Sequence, residues 1–286
     1  MPEKDAVYRA MTNDGAFRVV AARTTDTTRA IVEAQKLDGA VAGALSDLAT
    51  SAVLYRETMA PSLRVQCIVS LEDQGGQLVA DSRPDGSTRG LVQTGKEGAA
   101  PDLDKHKATL QMMRTLPNSD LHRGVVEVPE GGNLSEAFMR YMQLSEQIVS
   151  MISLGSTLVG DHPASGGFVV QLLPEADEAE AAVQTMTERL EDFVDITARL
   201  QESDASPSRL IEDIFEGMPF TWLQQSDVRF GCHCSQLRVM TTLSVLDRTD
   251  IQELVDEGDP LSMSCDYCGT EYTVEIAQLQ GLLASS

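Results

Sequence analysis

The sequence predicts an α+β protein in three parts: an N-terminal core domain of mixed β-sheet and helix, an acidic helical linker, and a small C-terminal domain organised by cysteines. Three observations carry that prediction. Up to about Leu173 the chain alternates strand-like and helix-like patterns, and its charge is mixed, with 21 acidic and 16 basic residues over 1–173. Over 174–220 the balance shifts to 13 acidic against 3 basic residues while an apolar helical periodicity persists. Beyond that, four of the five cysteines form two tight pairs, Cys232 with Cys234 and Cys265 with Cys268, separated by 30 residues. The expected divisions are 1–174, 175–226 and 227–286.

In the first part, Ala16 to Ala21 reads as a strand, and Thr27 or Thr28 can cap a helix that runs to about Leu37. Leu45, Leu48, Ala52 and Tyr55 mark the face of a second helix. Further strands are expected over Ser62–Leu71, Gln77–Asp81, Arg89–Thr94 and His122–Val128, with glycine-bearing turns such as Gly75-Gly76 and Asp85-Gly86 between them. Alternation from Leu63 to Val69 puts Cys67 on the apolar face of its strand, where it reads as a buried core thiol. A helix from Leu134 to about Ile148 follows, and a closing strand from Gly167 to Leu173 ends at Pro174.

In the linker, Val183, Met186, Leu190, Phe193 and Leu200 fall at helical spacings and define one apolar stripe on a very acidic helix. Such a stripe needs a surface to rest on. Ser206 offers an N-cap with Pro207 at the first helical position, and Leu210, Ile211, Ile214 and Phe215 form a second apolar face before Gly217 ends it. With so many carboxylates repelling one another, the docking of this stretch is expected to be conditional on its support.

In the third part, Asp247 can cap a short helix with Ile251, Leu254 and Val255 inward and Gly258 after its end. Leu261 and Met263 alternate into the second cysteine pair, and Tyr272 and Val274 continue as a strand beyond it. A Cys-x-Cys and a Cys-x-x-Cys pair each bring two sulfurs to one ion, and the segment between them is long enough to close a tetrahedral four-cysteine shell, for which zinc is the default occupant. His233, between two converging ligands, is expected to point away, and Gly269 suits the turn after the last cysteine. So few large apolar side chains cannot form much of a core, so the metal is expected to fold this domain.

Composition limits the partners. The chain has 286 residues, and its formal charge of -22 comes from 44 acidic and 22 basic residues, which argues against nucleic acid. The start has no basic region followed by an apolar stretch, and no run of about eighteen apolar residues occurs, so no membrane partner is expected and the cytoplasm is the expected location. There, paired cysteines hold metal or sense redox state more readily than they form permanent disulfides. Oxidation would join neighbours, Cys232 to Cys234 and Cys265 to Cys268. Closing such short loops removes only about 1–2 kcal/mol of denatured-state entropy, against about 10–16 kcal/mol for a structural zinc. Oxidation should therefore eject the metal and unfold the region, which is the behaviour of a sensor. Two other classes compete with this one. A thiol-disulfide oxidoreductase with a zinc site could use Cys265 and Cys268, but the usual βαβ setting is missing. A zinc-ribbon nucleic-acid module would need a basic face, whereas residues 228–286 hold 9 acidic and 3 basic residues.

The residues also match a known family. Phe230-Gly231-Cys232-His233-Cys234-Ser235 and Cys265-Asp266-Tyr267-Cys268-Gly269, with Gly15-Ala16-Phe17-Arg18-Val19, Arg89-Gly90, Tyr141, Ser145-Glu146-Gln147 and Gly166-Gly167 in order before them, give a chain that resembles the redox-regulated 33-kilodalton heat-shock chaperone family of bacterial cytosol. The resemblance covers essentially the whole chain. It implies a holdase that needs no ATP and is not an enzyme, inactive when reduced and holding one zinc per chain. Oxidants with mild heat pair the neighbouring cysteines, release zinc and unfold the zinc domain and linker. By position, Cys232, Cys234, Cys265 and Cys268 would be ligands and redox centre. Val183, Met186, Leu190, Phe193, Leu200, Leu210, Ile211, Ile214 and Phe215 are the candidates for the surface that binds unfolding client proteins. A homodimer when oxidised and hand-over to ATP-dependent chaperones complete the implied partners. One departure is Gln236-Leu237-Arg238-Val239, with fewer charges than many relatives carry.

Overall fold

Strand β2 (Phe17–Arg23) is buried along nearly its whole length, and successive side chains face opposite ways, so the sheet built on it needs cover on both sides. The computed structural model describes residues 4–60, 62–115, 120–158, 160, 162–173, 179–193, 195–202 and 205–284. The strand end expected at Pro174, and the start of the linker as far as residue 178, lie outside these. The chain divides into two units, residues 1–231 and 232–286.

In the first unit, β2 lies at the middle of a five-stranded antiparallel sheet whose order is β10 (Phe220–Asp227), β1 (Ala6–Thr12), β2, β9 (Ala164–Leu172) and β8 (Ser150–Thr157). A second sheet runs in the order β11 (Arg229–Phe230), β5 (Ser87–Gln93), β4 (Gln77–Ser82), β3 (Val65–Leu71), β6 (Ala108–Thr115) and β7 (Leu121–Glu127). Its pairs are antiparallel apart from the short parallel match of β11 to β5. Helix α1 (Thr25–Gln35) has its N-cap at Thr24, three to four residues before the expected caps, because the Asp5 carboxylate accepts the Asp26 and Thr27 N–H groups at 3.2 and 2.6 Å.

Helix α2 (Gly39–Thr58) packs against both sheets. The single face expected from Leu45, Leu48, Ala52 and Tyr55 is too narrow a reading, since every residue from Leu48 to Thr58 is buried. A helix apolar or small all round belongs inside. Its hydroxyls are absorbed locally: Ser46 and Ser51 donate to the Ala42 and Asp47 carbonyls at 2.7 and 2.9 Å, and Thr50 meets Thr24 at 2.7 Å. Val20, Ala22, Val169, Leu45, Leu54, Tyr55, Val65, Val69 and Leu78 share one core with Cys67, whose side chain is fully buried.

The other face of the first sheet carries Phe17, Val19, Ala21, Phe168 and Val170, and the linker covers it. Met186 comes from α4 (Ala179–Leu190) and Ile196 from α5 (Ile196–Leu200), while Leu210, Ile211 and Ile214 come from α6 (Pro207–Ile214). Phe193 stands edge-on to Phe168, ring centroids 6.1 Å apart, and Phe215 follows α6 into the same cluster. Val183, Leu190 and Leu200 are half-buried. The expected continuous helix through Leu200 is corrected to α4, a tight turn over 191–193, and a separate α5. Asp195 accepts the Ala198 N–H at 3.1 Å and so caps a new helix where the stripe was expected to run on. Ser206 caps α6 as its sequence predicts, accepting the Arg209 N–H at 3.0 Å.

Two further expectations change. Helix α3 (Leu134–Tyr141) does not reach residue 148; it loosens into a wider turn over 142–146 and stops at Gln147, whose φ is 58°. That turn brings the buried Glu146 carboxylate to the Tyr55 and Tyr141 hydroxyls at 2.5 and 3.1 Å and to Arg114 at 3.2 Å, and residues 150–157 become β8. The boundary expected between 226 and 227 moves to after Gly231. β10 zips onto β1, and Arg229 and Gly231 donate backbone N–H bonds to the Gly86 and Thr88 carbonyls at 3.1 Å each, so residues 220–231 belong to the first unit.

α5 lies close on the first sheet because β8 has no side chain at Gly155. A Cβ there would stand 2.5 Å from the Thr197 hydroxyl oxygen and 2.8 Å from the Ile196 side chain. Gly155→Val should therefore lift α5, destabilising the docked linker by about 1–3 kcal/mol. Amide exchange should quicken over 179–215 while β3 keeps its protection, and unchanged exchange over 179–215 would refute this packing.

Candidate metal centre

The second unit carries α7 (Gln236–Leu243), α8 (Arg248–Glu257), the hairpin of β12 (Leu261–Ser264) with β13 (Glu271–Val274), and α9 (Ile276–Ala284). Among its described residues only Leu243, Ile251, Val274 and Leu279 form a buried apolar cluster. The first cysteine pair directly precedes α7, whose start is fixed by Ser235 accepting the Arg238 N–H at 3.3 Å. The second pair occupies the tip of the hairpin. There Cys265 N–H donates to the Thr270 carbonyl at 2.9 Å and Gly269 N–H to the Cys265 carbonyl at 2.8 Å. This turn needs φ of +69° at Gly269, a conformation that glycine adopts without a Cβ clash.

These two local structures bring four sulfurs together. All four lie within 4.8 Å of one another, with Cys232 to Cys265 at 3.6 Å and Cys234 to Cys268 at 3.4 Å. Four thiolates each about 2.3 Å from one ion at tetrahedral corners would stand about 3.8 Å apart, so the set has the spacing and the soft donors that a zinc-like cation takes. The sulfurs are far outside disulfide bonding distance, which is about 2.0 Å, so all four cysteines are reduced. His233 is not part of the set. Cys67, fully buried in β3 of the first unit, is not part of the set, and burial pushes its thiol well above the ordinary range.

The sulfurs differ in how readily they lose a proton. Burial pushes Cys265 up to about 12 and also raises Cys234. At Cys268 burial acts in the same direction, but hydrogen bonds from the Thr270 hydroxyl and backbone, together with the neighbouring sulfurs, bring it down to about 7. Thr270 is 3.2 Å from the Cys268 sulfur, and the Tyr272 hydroxyl donates to Cys234 at 3.0 Å. Of Cys234, Cys265 and Cys268, the last is the readiest to ionise, and a bound cation would favour the thiolate form of its ligands. Sequence reasoning misses both hydroxyls. Thr270 carries no motif signal of its own, and Tyr272 reads only as a strand residue, although its place within a few residues of Cys268 is a signal for a sulfur partner. Helices α7 and α9 are also absent from the expected elements.

The sequence-predicted client-contact residues form a separate group. Met186, Phe193, Leu210, Ile211, Ile214 and Phe215 are buried in the first unit, and Val183, Leu190 and Leu200 are partly so. No helix among the described residues is long and apolar enough to cross a membrane.

Comparison with known proteins gives the family and the fold. The family model for the Hsp33 protein matches residues 5–275. The 33 kDa chaperonin of Syntrophotalea carbinolica is 28% identical over 291 aligned residues, covering 98% of this chain and 100% of its own. A 33 kDa chaperonin of Clostridium botulinum is 28% identical, with 99% of each chain covered. The crystal structure of a 33 kDa chaperonin from Thermotoga maritima, a heat shock protein 33 homologue, superposes with a TM-score of 0.85 over 99% of each chain at 21% identity, which establishes the α+β fold.

Reduced protein should hold close to one metal ion per chain, measured by elemental analysis after gel filtration. Cys265→Ser should weaken retention at least tenfold. Chelation should raise amide exchange across 232–284 and leave β3 and α2 protected. Full retention of metal in Cys265→Ser would exclude a four-sulfur site.

Proposed function

Because the chain belongs to the Hsp33 protein family, we propose that it is a redox-regulated holdase chaperone that needs no ATP and performs no catalysis. It is inactive when reduced and zinc-bound, and it binds unfolding proteins in the cytoplasm under oxidative and heat stress. The observation that carries this reading is the apolar face of the first sheet, with Phe17, Val19, Phe168 and Val170, covered by the acidic segments α4 to α6. A surface of that kind serves an unfolding protein once its cover leaves.

Zinc would be held by Cys232, Cys234, Cys265 and Cys268, and when bound it supplies the positive charge that keeps four thiolates together and the binding free energy that folds a unit with little core. The residues of the chain do the rest. Cys268, whose thiol the Thr270 hydroxyl and the neighbouring sulfurs favour as thiolate, would present the sulfur that attacks a peroxide oxygen, forming a sulfenic acid and releasing hydroxide. A neighbouring cysteine sulfur then attacks the sulfenic sulfur, forming the S–S bond and releasing water, so two electrons pass from each thiol pair to each peroxide. Disulfide sulfurs no longer serve as thiolate ligands. The second unit continues directly from β11 and Gly231, so its unfolding frees the strand end that anchors residues 220–231, and the linker follows.

Sulfurs of different pairs lie 3.6 and 3.4 Å apart in the folded unit, which favours a second reading in which the bridges join Cys232 to Cys265 and Cys234 to Cys268. Such bridges would close loops of more than thirty residues and stabilise the unit by roughly 3–4 kcal/mol, opposing release. Near-neighbour pairing prevails under the proposal because the first bridge removes the metal and unfolds the unit, after which chain separation sets the rate. Peptide mapping of the oxidised protein separates the two readings. A homodimer of the oxidised form and hand-over of clients to ATP-dependent chaperones fit the same scheme.

Light scattering from a heat-unfolding client should stay flat with peroxide-treated protein and rise with reduced protein, while a chromophoric chelator records zinc leaving in step. Phe193→Asp should give partial protection with all cysteines reduced and zinc retained, because a charge in place of a ring buried against Phe168 undocks the cover at a cost of about 3–5 kcal/mol. Linker amides that stay protected after zinc loss, in protein that nevertheless suppresses aggregation, would place the switch elsewhere.

A further inference from the structure

Where the linker meets the first sheet, a groove of about 630 Å³ is lined by residues of α3, β8 and β9 together with α4 and the turn over 191–193. Met151, Ile152, Leu154, Leu190 and Phe193 give it apolar walls, and two carboxylates reach it, Asp47 from α2 and Glu191 from the linker. No lysine or arginine is among the described residues that line it. A neighbouring cavity shares Asp47 and adds Asp38, Asp102 and Asp104, again with no basic side chain in its described lining.

Most polar side chains beside the groove are engaged locally. The Ser135 hydroxyl accepts the Leu154 N–H at 3.0 Å, Asn133 accepts the Glu136 N–H at 3.0 Å, and the Thr187 hydroxyl donates to the Val183 carbonyl at 2.8 Å. Asp47 is different. Its Oδ1 is buried and accepts no hydrogen bond. Burial pushes the carboxyl up to about 6 despite the Ser156 hydroxyl nearby, so at neutral pH it is still mainly ionised. A buried negative charge is costly unless something positive accompanies it, and the groove supplies nothing of that kind from the chain itself.

We propose that this groove binds a small aliphatic ammonium ion, with the charged head on the Asp47 carboxylate and the hydrocarbon chain against Met151, Leu190 and Phe193. The charge of the lining excludes an anion. A bare metal cation is a poor match, because hard cations take six or more oxygens, and among the described residues only the four cysteines form a cluster of three or more metal-binding groups. Apolar walls around a carboxylate instead suit a ligand that is cationic at one end and oily along its length, and the rings and thioethers of Phe193 and Met151 are soft surfaces for it. The volume lies in the range of small-molecule sites, which is roughly 300–1,000 Å³.

The walls belong both to the core and to its linker cover, so a bound amine holds the two together. Binding needs no redox chemistry; only its effect on activation, which would be to oppose release of the cover, rests on the chaperone reading above. In the reduced chain the effect is on local opening, which a ligand of the docked form suppresses in proportion to its concentration over Kd.

The test uses the full reduced chain with one equivalent of zinc, titrated calorimetrically with n-hexylammonium chloride at pH 7.5 and constant ionic strength. Saturation at one amine per chain is expected. Asp47→Asn, which keeps the shape and removes the charge, should weaken binding at least about tenfold, the scale of a lost charge-assisted bond. Thr187→Phe, at an exposed helical position, should weaken it comparably by filling the groove, and unchanged amide exchange in β3 confirms that both variants fold. n-Hexanol, with the same chain and no charge, should bind at least about tenfold more weakly than the amine, for the same reason as Asp47→Asn. At about ten times Kd the amine should slow exchange over 187–193 by about tenfold in the unaltered chain, and the same concentration should have little effect in Asp47→Asn. Absence of saturable binding would overturn the proposal. So would affinity that ignores Asp47→Asn and Thr187→Phe, which would reduce the effect to a general attraction to an acidic surface, hexanol binding as tightly as the amine, or displacement of the amine by calcium at equal ionic strength, which would assign the site to a metal cation.

Discussion

A sheet whose central strand sends Val20 and Ala22 to one side and Phe17, Val19 and Ala21 to the other must be covered twice, and the chain draws the two covers from segments of very different quality. On one side lies α2, buried from Leu48 to Thr58, with its serine and threonine hydroxyls bonded inside the fold. Arg56 and Glu57, both buried, pair with each other, and Glu57 also meets Arg9 at 3.2 Å, so even the charged end of this helix is neutralised. On the other side lie three short helices from a stretch with 13 acidic and 3 basic residues. One cover is wedged between both sheets, whereas the other rests on one sheet face alone.

The cysteine unit has the opposite balance. Four buried apolar side chains, each contributing about 1.5–3 kcal/mol on burial, cannot offset the entropy of ordering α7, α8, the hairpin and α9. A cation held by the four sulfurs would then be the main source of order, with the Thr270 and Tyr272 hydroxyls bonded to two of them.

Much of this is legible in the sequence because the relevant signals are local. The cysteine spacing, the Ser206-Pro207 start of α6, the Asp247 to Gly258 helix and the alternation around Cys67 are each readable within about ten residues. The failures share a different cause. β10 is exposed at six of its eight residues and is a strand only because β1 offers it an edge. β8 and the turn over 142–146 depend on Glu146 reaching Tyr55, 91 positions earlier in the chain. α2 reads as one-sided because its small residues do not announce a second sheet. The break at Asp195 escapes the periodicity because its spacing still suits a continuous stripe; only the cap at Ala198 distinguishes a restart from a helix that runs on. At the metal centre the ligands are visible and their hydroxyl partners are not, since a sulfur contact at 3.0 Å from Tyr272 depends on how the hairpin folds over the first pair.

The three basic residues of the linker show how its cover stays marginal. Arg189 of α4 donates to the carbonyls of Ile214 at 3.3 Å and of Glu216, closing the end of α6, while Arg199 and Arg209 both meet Asp213, at 3.7 and 2.9 Å. Arg199 also lies 4.8 Å over the ring of Phe193. Every positive charge in the stretch therefore ties one linker helix to another or packs on a linker helix's own acids. Exposed ion pairs of this kind contribute about 0–1 kcal/mol each, which is too little to hold the segment against the mutual repulsion of its carboxylates. The apolar contacts of Met186, Phe193, Ile196 and the α6 face must supply the docking, and the arginines make those contacts interdependent. If α6 lifts, Arg189 and Arg199 lose their partners on it, and α4 and α5 lose with them the contacts that bind them to their neighbour. Release is then cooperative across α4 to α6, as expected of a cover that has two states.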